Sequence, residues 1–310
     1  MRGAIAAALV LAVATPGAAQ TSAECAAFWD LASDLAGQAR SAGPVDRPAI
    51  RVGPGGCVAS DIRLDGGPRT EFRIARIAWS GTGFDRMLAD GLPPTSLKVS
   101  AKGIRVIPRT GQPVFDYAFG KQSIRGAVDL EIAASWDATA KALTLETLEL
   151  DFPAENRIGV SATLEGIDLT DRDSIEASAA TAAITEAFTR IETRGLFESY
   201  VLMALAPALL TEDEDPEAQV QALKVRANTL VGIAPSALLP QASKDALRRL
   251  ISVMPNPNGT LAVRMTASPG LGTARGLDLS RNFVPDNFGD LWRLLDGVRL
   301  DVSYDHESLE

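Results

Sequence analysis

His306 is the only histidine of the 310-residue chain, and it stands in Asp305-His306-Glu307 just before the C-terminus. A Ser-His-Asp or Cys-His nucleophile system needs an imidazole held rigidly against its nucleophile, and chain ends are usually mobile. With one histidine and two cysteines, Cys25 and Cys57, the usual nitrogen and sulfur donors of a zinc, copper or haem site are too few. Trp79-Ser80-Gly81-Thr82-Gly83 has the outline of a nucleophile elbow, but Ala78 stands where the first glycine belongs and no apolar helix follows, so it reads as a turn. Gly270-Leu-Gly-Thr-Ala-Arg-Gly276 lacks the strand, helix and acidic residue of a dinucleotide fingerprint and reads as a loop. Carboxylates are plentiful. Asp171, Asp173 and Glu176, or Glu212, Asp213, Glu214 and Asp215, are the calcium candidates, yet neither group has the glycine turn and spacing of an EF-hand loop. Acidic helix starts and solvated connectors explain both. No constellation commits the chain to a chemistry, so no catalytic, cofactor-binding or metal-binding residue is assigned, and no cofactor is expected.

The chain start points to export. Met1-Arg2, an apolar run from Ala4 to Ala14, and Thr15-Pro16-Gly17-Ala18-Ala19 before Gln20 have the order of a cleavable signal peptide over residues 1–19. The apolar run breaks at Pro16, well short of the roughly 20 residues that a membrane-spanning helix needs, so no transmembrane segment is expected in the mature chain. In an oxidising compartment Cys25 and Cys57 are expected to form a disulfide, which would stabilise the fold by about 3 to 4 kcal/mol through the loop it closes. A net charge of -9 and a pI near 4.9, without clustered Lys and Arg, argue against a nucleic-acid partner. The expected location is periplasmic or secreted.

The elements follow from periodicity. Apolar residues at three- and four-residue spacings from Ala23 to Gln38, including Phe28, Trp29 and Leu31, predict a helix, followed by an irregular Pro- and Gly-rich crossing. Six segments between Val58 and Leu169 alternate apolar with polar; in the clearest, from Ile124 to Trp136, Ile124, Gly126, Val128, Leu130, Ile132, Ala134 and Trp136 oppose Arg125, Asp129, Glu131 and Ser135. That pattern belongs to antiparallel sheet with one wet face. Phase changes after Ala101, Leu145 and Leu164 imply extra residues, at Gly103 and Gly166 in two cases, and hence β-bulges and a strongly curved meander. From Ser174 the texture turns Ala-rich and predicts helix to Leu210, interrupted near Gly195, with Tyr200 to Leu210 as a buried core helix kinked at Pro207. Further helices are predicted over Pro216 to Val231, Ser236 to Val253 and Asn287 to Leu295, and strands over Leu261 to Ala267 and Val298 to Tyr304.

The fold class is therefore α+β: a curved antiparallel β-meander with an inserted all-helical block and returning C-terminal strands that join the same sheet. Residues 20–310 are expected to form a single domain, divided into an N-terminal helix and linker (20–56), antiparallel sheet (57–170), helical block (171–255) and returning strands and helix (256–310).

The meander containing Leu148-Glu-Leu-Asp-Phe-Pro153 and Gly166-Ile-Asp-Leu169 resembles AsmA-like and related uncharacterised envelope proteins of Gram-negative bacteria. The resemblance covers the sheet portion, implies an envelope location and carries over no site residues. The expected function is that of an exported, non-enzymatic binding protein of the cell envelope for an apolar or lipid-like ligand. The alternatives are a structural or assembly partner of another envelope protein, docking through a sheet edge, and a carboxylate-based hydrolase. A curved sheet with one apolar face either closes into a core or leaves a groove, and the helical block is the material expected to fill it.

Overall fold

The computed structural model describes residues 20–39, 47–53, 55–67, 69–211, 215–273, 275, 292 and 295–307. The signal peptide expected over 1–19, residues 212–214 of the acidic connector and most of the helix expected over 287–295 lie outside these residues. Ten strands form one antiparallel sheet in sequence order: β1 (Ile50–Gly53), β2 (Gly56–Asp65), β3 (Thr70–Thr82), β4 (Ser96–Pro108), β5 (Val128–Asp137), β6 (Ala142–Phe152), β7 (Asn156–Glu165), β8 (Ala183–Arg194), β9 (Asn258–Gly272) and β10 (Val298–His306). Each strand pairs only with its neighbours in sequence, so the sheet is a meander with two free edges. The returning strands join it, as expected.

Among the described residues there are seven helices: α1 (Ser22–Ala39) before the sheet, and α2 (Phe84–Asp90), α3 (Pro113–Gln122), α4 (Arg172–Thr181), α5 (Leu202–Leu209), α6 (Pro216–Ile233) and α7 (Gln241–Val253) in its links. A π-helical turn over Phe197–Val201 leads into α5. Asp171 and Asp215 cap α4 and α6 by accepting hydrogen bonds from Ser174 N and Ala218 N, each satisfying a backbone donor that the first helical turn leaves free.

The expected helix over 174–210 is corrected by β8, which runs through its middle. Ile184, Phe188 and Ile191 have helical spacing, but Phe188 points to the opposite sheet face from Ile191, where the Arg264 guanidinium lies 5.6 Å from its ring. The β-branched residues Ile184, Thr185, Thr189, Ile191 and Thr193 fit a pleated surface, and without β8 both β7 and β9 would expose a long unpaired edge. The glycine-rich stretch after Ala267, expected as a loop, continues β9 to Gly272. A Cβ on Gly270 would lie 2.8 Å from that of Ala183, so close strand approach explains that glycine. The short helices α2 and α3 were not foreseen.

Two of the three expected phase changes are irregularities in the ladder. The β4–β5 register shifts between Ala101 and Ile104 around Gly103, whose φ is 68°. Glu146 is the extra residue of β6, since Leu145 pairs with Ala134 and Thr147 with Ala133. The third is a strand end: β7 stops at Glu165, and Gly166, at φ 75°, turns the chain out of the sheet.

The two buried clusters lie at opposite ends of the strand order. At one, α1 and α2 cover β2 to β4 with Cys25, Trp29, Phe84 and Met87 against Cys57, Ala59, Ile62 and Trp79. The Cys25–Cys57 disulfide, with Cα atoms 5.6 Å apart, pins α1 to β2. At the other, Ala234, Leu238 and Leu239 between α6 and α7 pack with Ala267 of β9 and Val298 of β10.

Candidate functional site

Between these two covered ends, the apolar face of β5 to β8 carries no buried cluster among the described residues. Cross-strand register builds it in rows: Leu150 of β6 stands opposite Leu130 and Ile158, Leu148 opposite Ile132 and Val160, Leu145 opposite Ala134 and Ala162, and Leu143 opposite Trp136 and Leu164. The rows continue through Ile191, Thr189, Ala187 and Ile184 of β8. Side chains of one parity share one face of a strand, so alternation along four strands creates one continuous apolar surface. No residue of β5 or β6 is buried, and in β7 and β8 only Asn156 and Thr193 are. The apolar rows are half-buried by one another. The expected filling of the sheet by the helical block therefore stops at β9 and β10, along which α7 packs. With strands about 4.8 Å apart and about 3.3 Å per residue along each, this surface is about 15 to 20 Å wide and about 30 Å long, and at its Trp136 end the Arg86 guanidinium lies 5.4 Å from the Trp136 ring.

At one end this trough adjoins a second apolar space. The Phe152 ring at the end of β6 lies 5.1 Å from the Tyr200 ring in the π turn. Beyond it, Phe197, Leu205, Leu209, Leu223, Leu250 and Met254 of the π turn and α5 to α7 enclose a cavity of about 320 Å³. Among its described lining residues only Lys224 is charged, and its Nζ donates to Ser252 O at 3.2 Å. Tyr200, Leu205 and Leu209 are 41%, 40% and 52% exposed, which corrects the expectation of a buried core helix over Tyr200 to Leu210.

The opposite face of the sheet is polar and ion-paired. A depression of about 400 Å³ over the ends of β6 to β9 holds Arg157, Arg190 and Arg194. Arg157 is paired to Asp151 at 2.6 Å, Arg190 to Glu192 at 2.8 Å, and Arg194 to Glu307 at 3.0 Å and to Glu155. A carboxylate hydrolase needs an acid whose pKa is raised. The carboxyls that are displaced move the other way. A hydrogen bond from Lys141 lowers Asp168 to about 2, the Thr110 backbone N–H lowers Asp116, and Arg299 lowers Asp301. Glu71 is pushed up by partial burial but lowered overall by Arg109 and Arg73.

The residues singled out by type do not assemble. Ser80 lies within β3, where Gly81 is pressed against the Ser96 carbonyl, 2.0 Å from where a Cβ would sit. His306 is the last residue of β10, with Nδ1 3.0 Å from Asn258 O, and braces the start of β9. Asp171 and Asp215 serve as caps, as above. Among the described residues, no three His, Cys, Asp or Glu side chains converge as metal ligands. No described helix is long and apolar enough to cross a membrane.

The free edges differ. The outward N–H of Leu300 on β10 donates to Leu238 O at 2.7 Å and that of Val302 to Ser243 Oγ at 2.9 Å, so α7 and the loop before it occupy that edge. At the other, β1 pairs only with Gly56 to Ala59 of β2. No family model matches the chain, and no curated protein matches it either.

Proposed function

We propose that the chain is an exported, non-enzymatic binding protein of the cell envelope that holds an apolar, lipid-like ligand against the uncovered face of β5 to β8. The observation that carries this reading is the half-burial of every apolar side chain on β5 and β6. Ordinary core strands bury these positions, and a contiguous apolar surface left partly accessible to water marks binding sites. The cavity beside Tyr200 supports it, since its volume lies in the range of ligand pockets. The signal-peptide pattern over 1–19 and the disulfide support export. Docking through the β10 edge is disfavoured because its outward N–H groups at Leu300 and Val302 already have acceptors.

The test is native mass spectrometry of the mature protein purified from the periplasm, followed by solvent extraction. A released lipid or other apolar molecule supports the carrier reading. A clean mass for the chain with one disulfide, together with no uptake of a fluorescent fatty acid, overturns it and favours an assembly partner.

A further inference from the structure

The link between β4 and β5 is a helix that contributes nothing to the core. α3 has the sequence Pro-Val-Phe-Asp-Tyr-Ala-Phe-Gly-Lys-Gln, and none of its residues is buried. Val114, Tyr117 and Phe115 are 78%, 68% and 54% exposed, and Val106 and Ile124 beside the helix are more than half exposed as well. The helix is nevertheless held in place. Pro113 starts it, and Asp116 accepts hydrogen bonds from Thr110 N and Oγ1 at 2.7 and 2.8 Å, tying its first turn to the preceding loop.

Charge around α3 runs against that of the chain. Residues 103–126 carry Arg105, Arg109, Lys121 and Arg125 against Asp116 alone, a net +3 in a protein of net -9. Asp116 is turned to Thr110, and Arg109 is held by Glu71 at 2.6 Å. Among the described residues no carboxylate pairs with Arg105, Lys121 or Arg125. The Lys121 ammonium lies 5.4 Å from the centre of the Tyr117 ring, an aromatic and a cation side by side.

We propose that α3 and its flanks form a membrane-docking surface that takes anionic phospholipid. Phe, Tyr and Val side chains on an exposed helix enter the boundary between headgroups and acyl chains, and Lys and Arg beside them meet the phosphates. A second copy of the chain is a poorer occupant, because a two-fold interface sets the same patch against itself, cation against cation. In the up-and-down meander the β4–β5, β6–β7 and β8–β9 links lie at the same end of the strands. Docking through α3 therefore brings the membrane to the end of the trough where Phe152 and Tyr200 meet. The docking surface does not depend on the ligand reading, and an empty trough would leave it unchanged.

Flotation of the purified mature protein with vesicles rich in phosphatidylglycerol, and with vesicles of phosphatidylcholine alone, tests this. Binding is expected to the anionic vesicles, falling as salt is raised. Lys121→Glu and Arg125→Glu should each weaken it by about fivefold or more. Phe115→Ser with Tyr117→Ser should abolish it with circular dichroism and urea midpoint unchanged, because these side chains touch no core. No flotation with anionic vesicles at low salt overturns the proposal. So does flotation that all four substitutions leave intact, or the finding that they abolish a dimer or a complex with an acidic protein instead.

Discussion

Gly103 of β4 and Ala75 of β3 approach so closely that a Cβ built on Gly103 would stand 2.9 Å from the Ala75 Cβ, and Gly103 itself has φ 68°. The two residues sit where the register between β4 and β5 shifts. On β3, Ile74 and Ile77, three apart, both pack on the cluster around Trp79. The sheet bends here, and glycine permits the bend twice over, by its backbone and by its missing side chain. Gly103→Ala should cost about 1 to 2 kcal/mol from the left-handed backbone alone, with more from the clash. Adding Ala75→Gly should recover only the steric share. Urea denaturation of the parent and these two variants checks this; full rescue by Ala75→Gly would show that the backbone angle is not the constraint.

The Cys25–Cys57 bridge closes a loop over a sequence separation of 32 residues, and on the chain-entropy account its loss costs about 3 to 4 kcal/mol. The double variant Cys25→Ser, Cys57→Ser should therefore show a much lower urea midpoint. Because the Trp79 ring packs 5.7 Å from Phe28 of α1, its fluorescence should shift as α1 loosens. The cluster between α7 and β10 should keep its hydrogen-exchange protection until global unfolding.

These positions separate what was legible from what was not. Alternation from Ile124 to Trp136 displayed the pairing face of β5, although the strand starts only at Val128 and the residues before it turn, and the phase jump at Gly103 exposed the bulge, because both are local. The Ala-rich texture around β8 hides a strand in which Phe188 points to the polar face, an arrangement only the neighbouring strands impose. α3 carries Val114, Phe115, Tyr117 and Phe119 without a stripe, and a helix with no core to face has no reason to show one. Whether the apolar rows of β5 to β8 are covered depends on where α1, α2, α6 and α7 settle. No property of those rows encodes it.

Asp168 and Lys141 form an ion pair at 2.8 Å that makes a sign-definite acid prediction. The hydrogen bond from Lys141, with that from Thr170, lowers the Asp168 pKa to about 2. A carboxyl with a depressed folded pKa stabilises the protein above its unfolded value of about 4 and loses that contribution as pH falls through its folded value. Asp168→Asn should be less stable than the parent at neutral pH, with the gap narrowing between about pH 4 and about pH 2. A gap that stays constant through that window would refute the pairing.

The β10 edge depends on two neighbouring residues of α7. Lys244, nearly fully buried, donates to Ala234 O at 2.5 Å and Gly232 O at 3.2 Å at the end of α6, while Ser243 Oγ accepts from Val302 N. Lys244→Met leaves those carbonyls without their donor and should cost about 1 to 3 kcal/mol. Ser243→Ala should cost about as much as one unmade buried hydrogen bond, about 1 to 3 kcal/mol. In both variants the amides of Leu300 and Val302 should exchange faster than those of β5 and β6. Uniform acceleration across the sheet would mean that α7 is not a local clamp.

Leu148, between Ile132 and Val160 in the trough, offers the substitution that separates binding from folding. Being half-buried, it can be replaced by Glu with the carboxylate still reaching water, so Leu148→Glu should cost only about 1 to 2 kcal/mol of stability. A ligand lying across the trough would instead have to desolvate that charge, and uptake of a fluorescent fatty acid should fall by about tenfold or more. Ser161→Glu places the same charge one residue from Val160 but on the opposite face, and should leave uptake unchanged. If the two variants bind equally well, the ligand is not on this face, and the cavity beside Tyr200 becomes the place to look.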